Sequence, residues 1–108
     1  MNRRQALILT PAVALLLFIP PAAAAPRTHI IIIDKMKFGP VPPGLHVGDT
    51  IVWRNRDMVR HTATAADKSF DVDLPAGASG KTVLKKSGVI PFTCKFHPGM
   101  RGVLNVAR

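Results

Sequence analysis

The chain has 108 residues, 15 lysines and arginines against six aspartates, and a formal net charge of +9 at pH 7. This length suffices for one small domain and is too short for two. The basic balance raises the question of nucleic-acid binding, but only 6% of the residues are aromatic. These aromatic residues do not alternate with the basic ones along the chain, which argues against a nucleic-acid-binding surface.

Residues 1–24 have the layout of a secretory signal peptide. Arg3 and Arg4 precede an apolar run from Ala6 to Ile19, and a row of alanines then offers an A-x-A cleavage pattern. The alternative is an uncleaved membrane anchor, but the run is short for a span and interrupted by prolines. The arginine pair is compatible with both the twin-arginine and the ordinary export route. We expect export to the periplasm or the extracellular space, without stable membrane insertion.

Residues 25–108 are then the mature domain, with 13 basic and six acidic residues and a net charge of +7. So small a domain buries a modest fraction of its surface and often needs a disulfide or a metal ion for stability. The chain has one cysteine, which excludes an internal disulfide. An exported domain with a single cysteine therefore points to a metal ligand or a reactive thiol.

Short runs rich in β-branched and aromatic residues follow one another along this domain. The pattern predicts strands at 28–33, 50–55, 61–65, 81–85, 89–94 and 102–107. Turns containing glycine or proline separate these runs, and no segment has a helical period longer than a couple of turns. Many short strands at this spacing predict an all-β fold, a small β-sandwich in a single domain.

The stretch 94–100, CKFHPGM, holds the only cysteine, a histidine three residues later and a methionine three residues after that. Pro98 and Gly99 predict a type II turn, which would place the Cα atoms of His97 and Met100 within about 7 Å of each other. Singly, a buried cysteine, a turn histidine and a core methionine are ordinary. Together they form a soft donor set that favours copper, in both oxidation states, over zinc.

Three ligands from one loop usually need a fourth from elsewhere, and the chain has three other histidines. His61 is the best placed because it follows the strand that ends at Asn55 and opens the next one. His29 and His46 are expected to be solvated. Two histidines, a cysteine and a weak axial methionine are the blue-copper pattern. The predicted metal ligands are therefore His61, Cys94, His97 and Met100.

Several further motifs accompany these ligands: Gly48-Asp49-Thr50, Trp53-x-Asn55, His61-Thr62, residues 70–74 and residues 92–102. With them, the mature region resembles the cupredoxins, the type 1 blue-copper proteins, and within that group the amicyanins. The short Cys-x2-His-x2-Met spacing is the amicyanin-like feature. Two positions depart from the pattern. Thr62 stands where many cupredoxins carry an asparagine that helps to hold the ligand loop, and residues 90–92 replace a more usual aromatic strand start.

The resemblance implies a Greek-key β-sandwich with one type 1 copper ion at one end. His61, Cys94 and His97 would form a trigonal plane, and Met100 would make a long axial bond. The implied function is electron transport by Cu(II)/Cu(I) cycling between exported redox partners. His97 would be the exit for the electron, at an apolar docking patch that includes Pro98.

The resemblance to amicyanins suggests an amine dehydrogenase and a c-type cytochrome as partners, and the basic charge predicts that a partner is acidic. A merely solvated basic face is the alternative. We expect a monomer without enzymatic activity, because the chain offers no base–nucleophile pair and little length for a substrate cavity. The competing function is copper handling, in which a periplasmic chaperone or store uses the same loop to hold Cu(I).

Overall fold

A computed structural model describes residues 25–108, and the predicted signal peptide lies outside this range. The described residues form nine strands and no helix, so none of them builds a helix able to cross a bilayer. The strands are β1 (Thr28–Asp34), β2 (Lys37–Phe38), β3 (Leu45–His46), β4 (Thr50–Asn55), β5 (His61–Ala65), β6 (Asp71–Leu74), β7 (Ser79–Val83), β8 (Gly88–Cys94) and β9 (His97–Ala107). The expected all-β fold is confirmed.

The strands form two sheets, with the orders β2-β1-β4-β7 and β3-β9-β8-β5-β6. Strands that are distant in sequence are neighbours in both sheets: β4 pairs with β7, and β5 pairs with β8. β1 runs parallel to β4, and β3 runs parallel to β9, while the other pairs are antiparallel. These crossovers make the expected Greek-key sandwich, since each sheet combines strands from both halves of the domain.

The core lies between the sheets, where aromatic rings from both of them meet. Trp53 on β4 and Phe92 on β8 are fully buried, and their ring centroids are 5.1 Å apart in an edge-to-face arrangement. Phe38 packs on Phe92 at 4.8 Å, and Phe70 packs on Trp53 at 5.8 Å. Gly102 leaves room for the Phe92 ring, because a Cβ there would lie 2.4 Å from a ring carbon. The packing of the Phe92 ring in the centre of the core thus holds β8, the strand that carries Cys94, in place.

The type II turn predicted at 97–100 is wrong. The chain reverses three residues earlier, at Lys95 and Phe96, where Cys94 pairs with His97. The four residues from His97 to Met100 are the start of β9, and Gly99 is not among the described glycines with positive φ that such a turn needs. The register of β8 with β9 shifts here, because Cys94 is opposite His97 whereas Thr93 is opposite Arg101, so residues 98–100 form a bulge in β9 instead of a turn.

Asp49 ties the N-terminal end of β1 to the turn between β3 and β4. One carboxylate oxygen accepts the Arg27 amide at 2.9 Å, and the other accepts His29 Nε2 at 2.9 Å and the His46 amide at 3.0 Å. The His29 side chain is only 14% exposed, so the expectation of a solvated histidine was wrong there, whereas His46 is exposed. The hydrogen bond from the Arg27 amide, followed by that from His29, lowers the pKa of Asp49 to about 2.

This depressed pKa predicts acid sensitivity of the fold. The carboxyl group has its ordinary pKa in the unfolded chain, so its stabilising contribution is complete above about pH 4 and is lost as the pH falls towards 2. We expect Asp49→Asn to lower the melting temperature at pH 7 by roughly 4–8 °C and to flatten its dependence between pH 4 and 2. Thermal unfolding measured across this range checks it. Asp34→Asn, the same change at an exposed aspartate, is the control, and equal pH profiles for the two variants would contradict the prediction.

Candidate metal centre

Three of the four predicted ligands meet at one end of the sandwich. Cys94 ends β8, His97 begins β9 and His61 begins β5, and their ligand atoms all lie within 4.8 Å of one another. Cys94 Sγ is 3.5 Å from His97 Nδ1 and 3.7 Å from His61 Nδ1. His61 and Cys94 are buried, whereas His97 is half-buried. Strands of one sheet therefore converge on a small donor cluster that reaches the surface through His97 alone among the three.

Met100, the fourth predicted ligand, lies three residues beyond His97 on β9. Its side chain is 5% exposed and belongs to the hydrophobic core. The thioether is thus shielded from water at the same end of the sandwich as the other three groups. A thioether is the soft, neutral donor that the predicted ligand set requires beside a thiolate and two imidazoles.

A carboxylate that the sequence analysis missed orients His61. Asp57 Oδ2 is 2.7 Å from His61 Nε2, and because an ionised carboxylate only accepts, Nε2 carries the proton. The lone pair of His61 is therefore on Nδ1, the atom that faces Cys94. This is the carboxylate–histidine pair that typically fixes the tautomer of a metal ligand. The signal in the sequence was an aspartate four residues before a candidate ligand.

Asp57 is itself held in place by three further hydrogen bonds, two to its carboxylate and one from its own amide. Its carboxylate accepts the amides of Lys35 at 2.8 Å and Met36 at 3.0 Å, and its own amide donates to Asn55 Oδ1. Burial raises the pKa of Asp57, but the hydrogen bonds from His61 and the two amides bring it below the usual value. The Asn55 side chain also donates to Val59 O and so fixes the loop before His61.

The environment of Cys94 favours the thiolate. The Thr62 amide donates to Sγ at 3.4 Å, in addition to the two histidine contacts. Burial raises the pKa of the thiol, but the hydrogen bonds from the Thr62 amide and from other groups around the sulfur outweigh it and lower the pKa to about 6. A thiolate at neutral pH is the form that binds metals. Two imidazole nitrogens and one thiolate thus converge, and the His61 ring holds its proton on Nε2, away from the centre.

Exposed apolar side chains lie beside the ligands in the segments that carry His61 and His97. Phe96, between Cys94 and His97, is 55% exposed, and Met58, in the loop before His61, is 92% exposed. Met36 is likewise exposed, so Met36 and Met58 are loop residues that face solvent. Pro98 is exposed next to His97, as the predicted docking patch requires. Exposed large apolar residues gathered at one end of a small domain are typical of an interaction surface.

Comparisons with known proteins agree with this arrangement. The family described as the Cupredoxin-like domain matches residues 7–106. The amicyanin of Paracoccus denitrificans is 31% identical over 100 residues, which cover 77% of this chain and 70% of that protein. The Cu(I) form of an amicyanin variant superposes with a TM-score of 0.60 and 28% identity, covering 71% of this chain and 79% of the other. A purple cupredoxin from Nitrosopumilus maritimus has a TM-score of 0.63 and 26% identity, covering 72% and 98%.

Proposed function

Because this chain belongs to the cupredoxin-like family, we propose that it holds one copper ion and carries single electrons between redox partners. The proposed ligands are a thiolate, two imidazoles and a thioether, from Cys94, His61, His97 and Met100. The observation that supports this most directly is the convergence of three of these side chains within 4.8 Å. Copper held there supplies a one-electron couple between Cu(II) and Cu(I), and no substrate bond is made or broken.

The residues around the centre fit a carrier because they hold the donors in place. Asp57 fixes the orientation of the His61 ring, and the Thr62 amide fixes the Cys94 sulfur. Donors on paired strands move little between oxidation states, and a small rearrangement keeps electron transfer fast. His97 is half-buried beside exposed apolar residues, which makes it the proposed exit for the electron.

We place the mature protein in the periplasm, after removal of residues 1–24. The basic start, the apolar run and the alanine-rich end of this segment support that assignment. No residue has a catalytic role in this function, because the ligands hold the copper ion and conduct an electron without changing a substrate. A monomer is sufficient for this function.

A visible absorption spectrum of the copper-loaded mature domain tests the proposed function. We expect an intense blue or purple band that disappears on addition of ascorbate and returns on reoxidation through repeated cycles. The zinc-loaded protein, which has no such band, is the control. Release of copper after the first reduction would contradict the carrier function and favour copper handling by a chaperone or store.

The basic residues near the metal centre support an acidic redox partner. Lys35, Lys37, Arg56 and Arg101 make no ion pair within residues 25–108. Lys37 and Arg101 line a groove of about 300 Å³ whose wall includes Met100. Unpaired cations around an apolar patch attract acidic surfaces over a Debye length and speed encounter at low salt.

Reversal of one of these charges is therefore expected to slow electron transfer to an acidic c-type cytochrome. At low ionic strength, Arg101→Glu should reduce the second-order rate constant severalfold and weaken its salt dependence. Stopped-flow rates, compared after the reduction potential of each variant has been measured, check this. Lys85→Glu makes the same charge change at the opposite end of the domain and should have a smaller effect. A wild-type rate that is independent of salt would count against an acidic partner.

A further inference from the structure

A closed ring of hydrogen bonds links the peptide after Cys94 to two neighbouring strands. The Lys95 amide donates to Thr62 Oγ1 at 2.9 Å, and Thr62 Oγ1 is 2.9 Å from Thr64 Oγ1. The Thr64 hydroxyl donates to Asp71 Oδ1 at 2.9 Å. Lys95 Nζ closes the ring at 2.6 Å from Asp71 Oδ2. The ring spans three adjacent strands, β6, β5 and β8, and returns to the residue where it began.

The strand geometry explains why these side chains meet. Thr62 and Thr64 are two residues apart on β5, so they lie on the same face of the sheet. Thr64 is directly opposite Asp71 in the antiparallel pair of β5 with β6. β8 lies on the other side of β5, and Lys95 follows its last residue, so the lysine can reach across β5 to Asp71.

The carboxylate of Asp71 fixes the direction of every hydrogen bond in the ring. An ionised carboxylate only accepts, so Thr64 must donate its proton to Asp71. The Thr64 oxygen can then accept only from Thr62, whose proton is thereby also assigned. Thr62 is left with an oxygen lone pair that faces the Lys95 amide. One negative charge at the sheet edge thus sets the orientation of the Thr62 hydroxyl, two hydrogen bonds away in the ring.

We propose that Thr64 and Asp71 are positioning residues of the metal centre, because they orient Thr62 to accept from the Lys95 amide. That amide belongs to the peptide that leaves Cys94, and the amide of the same Thr62 donates to Cys94 Sγ at 3.4 Å. Thr62 therefore holds the cysteine from two sides, through its side chain and its backbone. This inference rests on the proposed function for its effect on copper, whereas the ring itself is formed by residues of this chain alone.

The positional role is distinct from any contribution of the ion pair to stability. Lys95 and Asp71 are 51% and 49% exposed, and ion pairs at such exposure contribute little to folding. The bonds of Thr62 Oγ1 to the Lys95 amide and to Thr64 are part-buried and lie towards the thiolate, whereas the Thr64–Asp71 bond is exposed. The arrangement also accounts for the departure at Thr62: a threonine is shorter than asparagine, and Thr64 and Asp71 supply the constraint on its rotation.

Thr64→Val tests the proposal because it removes the hydroxyl relay without changing the charge or the size of the side chain. Outer-shell changes typically cost about 10- to 100-fold in metal affinity, so we expect copper to be released to a chelator about tenfold faster. A tenfold loss confined to Cu(II) would shift the reduction potential by about 59 mV. The visible band should also move. Thr64→Ser restores the hydroxyl and should restore wild-type values.

Thr93→Val is the matched control, since Thr93 lies directly across from Thr64 on β8 and its hydroxyl makes no hydrogen bond within the described range. Amide hydrogen exchange at Lys95 in the metal-free protein gives a second readout, and Thr64→Val should accelerate it about tenfold. Unchanged exchange, copper release and spectrum in Thr64→Val would overturn the proposal, as would a loss of thermal stability alone. If the wild-type protein binds no copper while Thr64→Val still accelerates amide exchange at Lys95, the proposed function is refuted and the role of the ring stands.

Discussion

Replacement of Cys94 by serine is expected to abolish the intense visible absorption of the copper-loaded protein. The band requires a thiolate bound to Cu(II), and a serine hydroxyl stays protonated at neutral pH and is a harder donor. Cys94 is 1% exposed, so no other group from solvent can take its place easily. The two histidines would retain some affinity for Cu(II), but we expect a loss beyond the roughly 10- to 100-fold that outer-shell changes cost.

The absorption spectrum and a chelator titration measure these two effects. Serine is nearly the size of cysteine and can still accept the Thr62 amide, so the sheets should form as in the wild type. A far-ultraviolet circular dichroism spectrum controls for this. An intense band that survives in Cys94→Ser would remove Cys94 from the proposed ligand set.

Phe92→Ala is expected to lower the free energy of unfolding of the metal-free domain by about 3–5 kcal/mol, as for other buried phenylalanines. The Phe92 ring is fully buried and contacts Phe38 and Trp53 at centroid distances of 4.8 and 5.1 Å. Gly102 sits against the ring and cannot fill the space that alanine would leave. Small domains have a total stability of about 5–15 kcal/mol, so this one change removes a large part of it.

Urea unfolding of the metal-free protein measures the effect, with an unchanged m value as evidence that two-state unfolding persists. Phe96→Ala is the matched control, because it makes the same substitution at a side chain that is 55% exposed. Surface changes of this kind typically cost within about 0.5 kcal/mol. Equal losses in the two variants would show that Phe92 does not hold the sheets together.

The sequence predicted the strands whose apolar residues mark the core and missed β2, β3 and β6, three of the four edge strands. The fourth edge strand, β7, was predicted two residues too late, at 81–85. β1, β4, β5 and β8 were placed within one residue of their observed bounds, because buried β-branched or aromatic residues recur along them. β2 and β3 have two residues each, too few for any periodicity. In β6, Asp71 and Asp73 face outward and only Leu74 is buried, so the segment looks polar although it completes a sheet.

The sequence was enough to predict the side chains that converge at the site, but not the residues that hold them in position. The spacing of Cys94 and His97 and the position of His61 at a strand start were enough to bring those three side chains together. Asp57 was missed because its role depends on the turn after β1, whose amides hold the carboxylate. The hydroxyls of Thr62 and Thr64 were missed for a related reason. Their meaning depends on Asp71 lying opposite, and strand register follows from tertiary pairing.

The distance along the chain between His61 and the β8–β9 hairpin has a consequence for unfolding. His61 and Cys94 are 33 residues apart in sequence, whereas His97 and Met100 follow Cys94 within six. A metal ion bound by both segments closes a loop of that length. In a chain-entropy treatment, such a closure restricts the unfolded ensemble by about 4 kcal/mol at 25 °C if the link persists on unfolding. A chain with a single cysteine thereby gains from its metal centre the restraint that a disulfide gives to other exported domains.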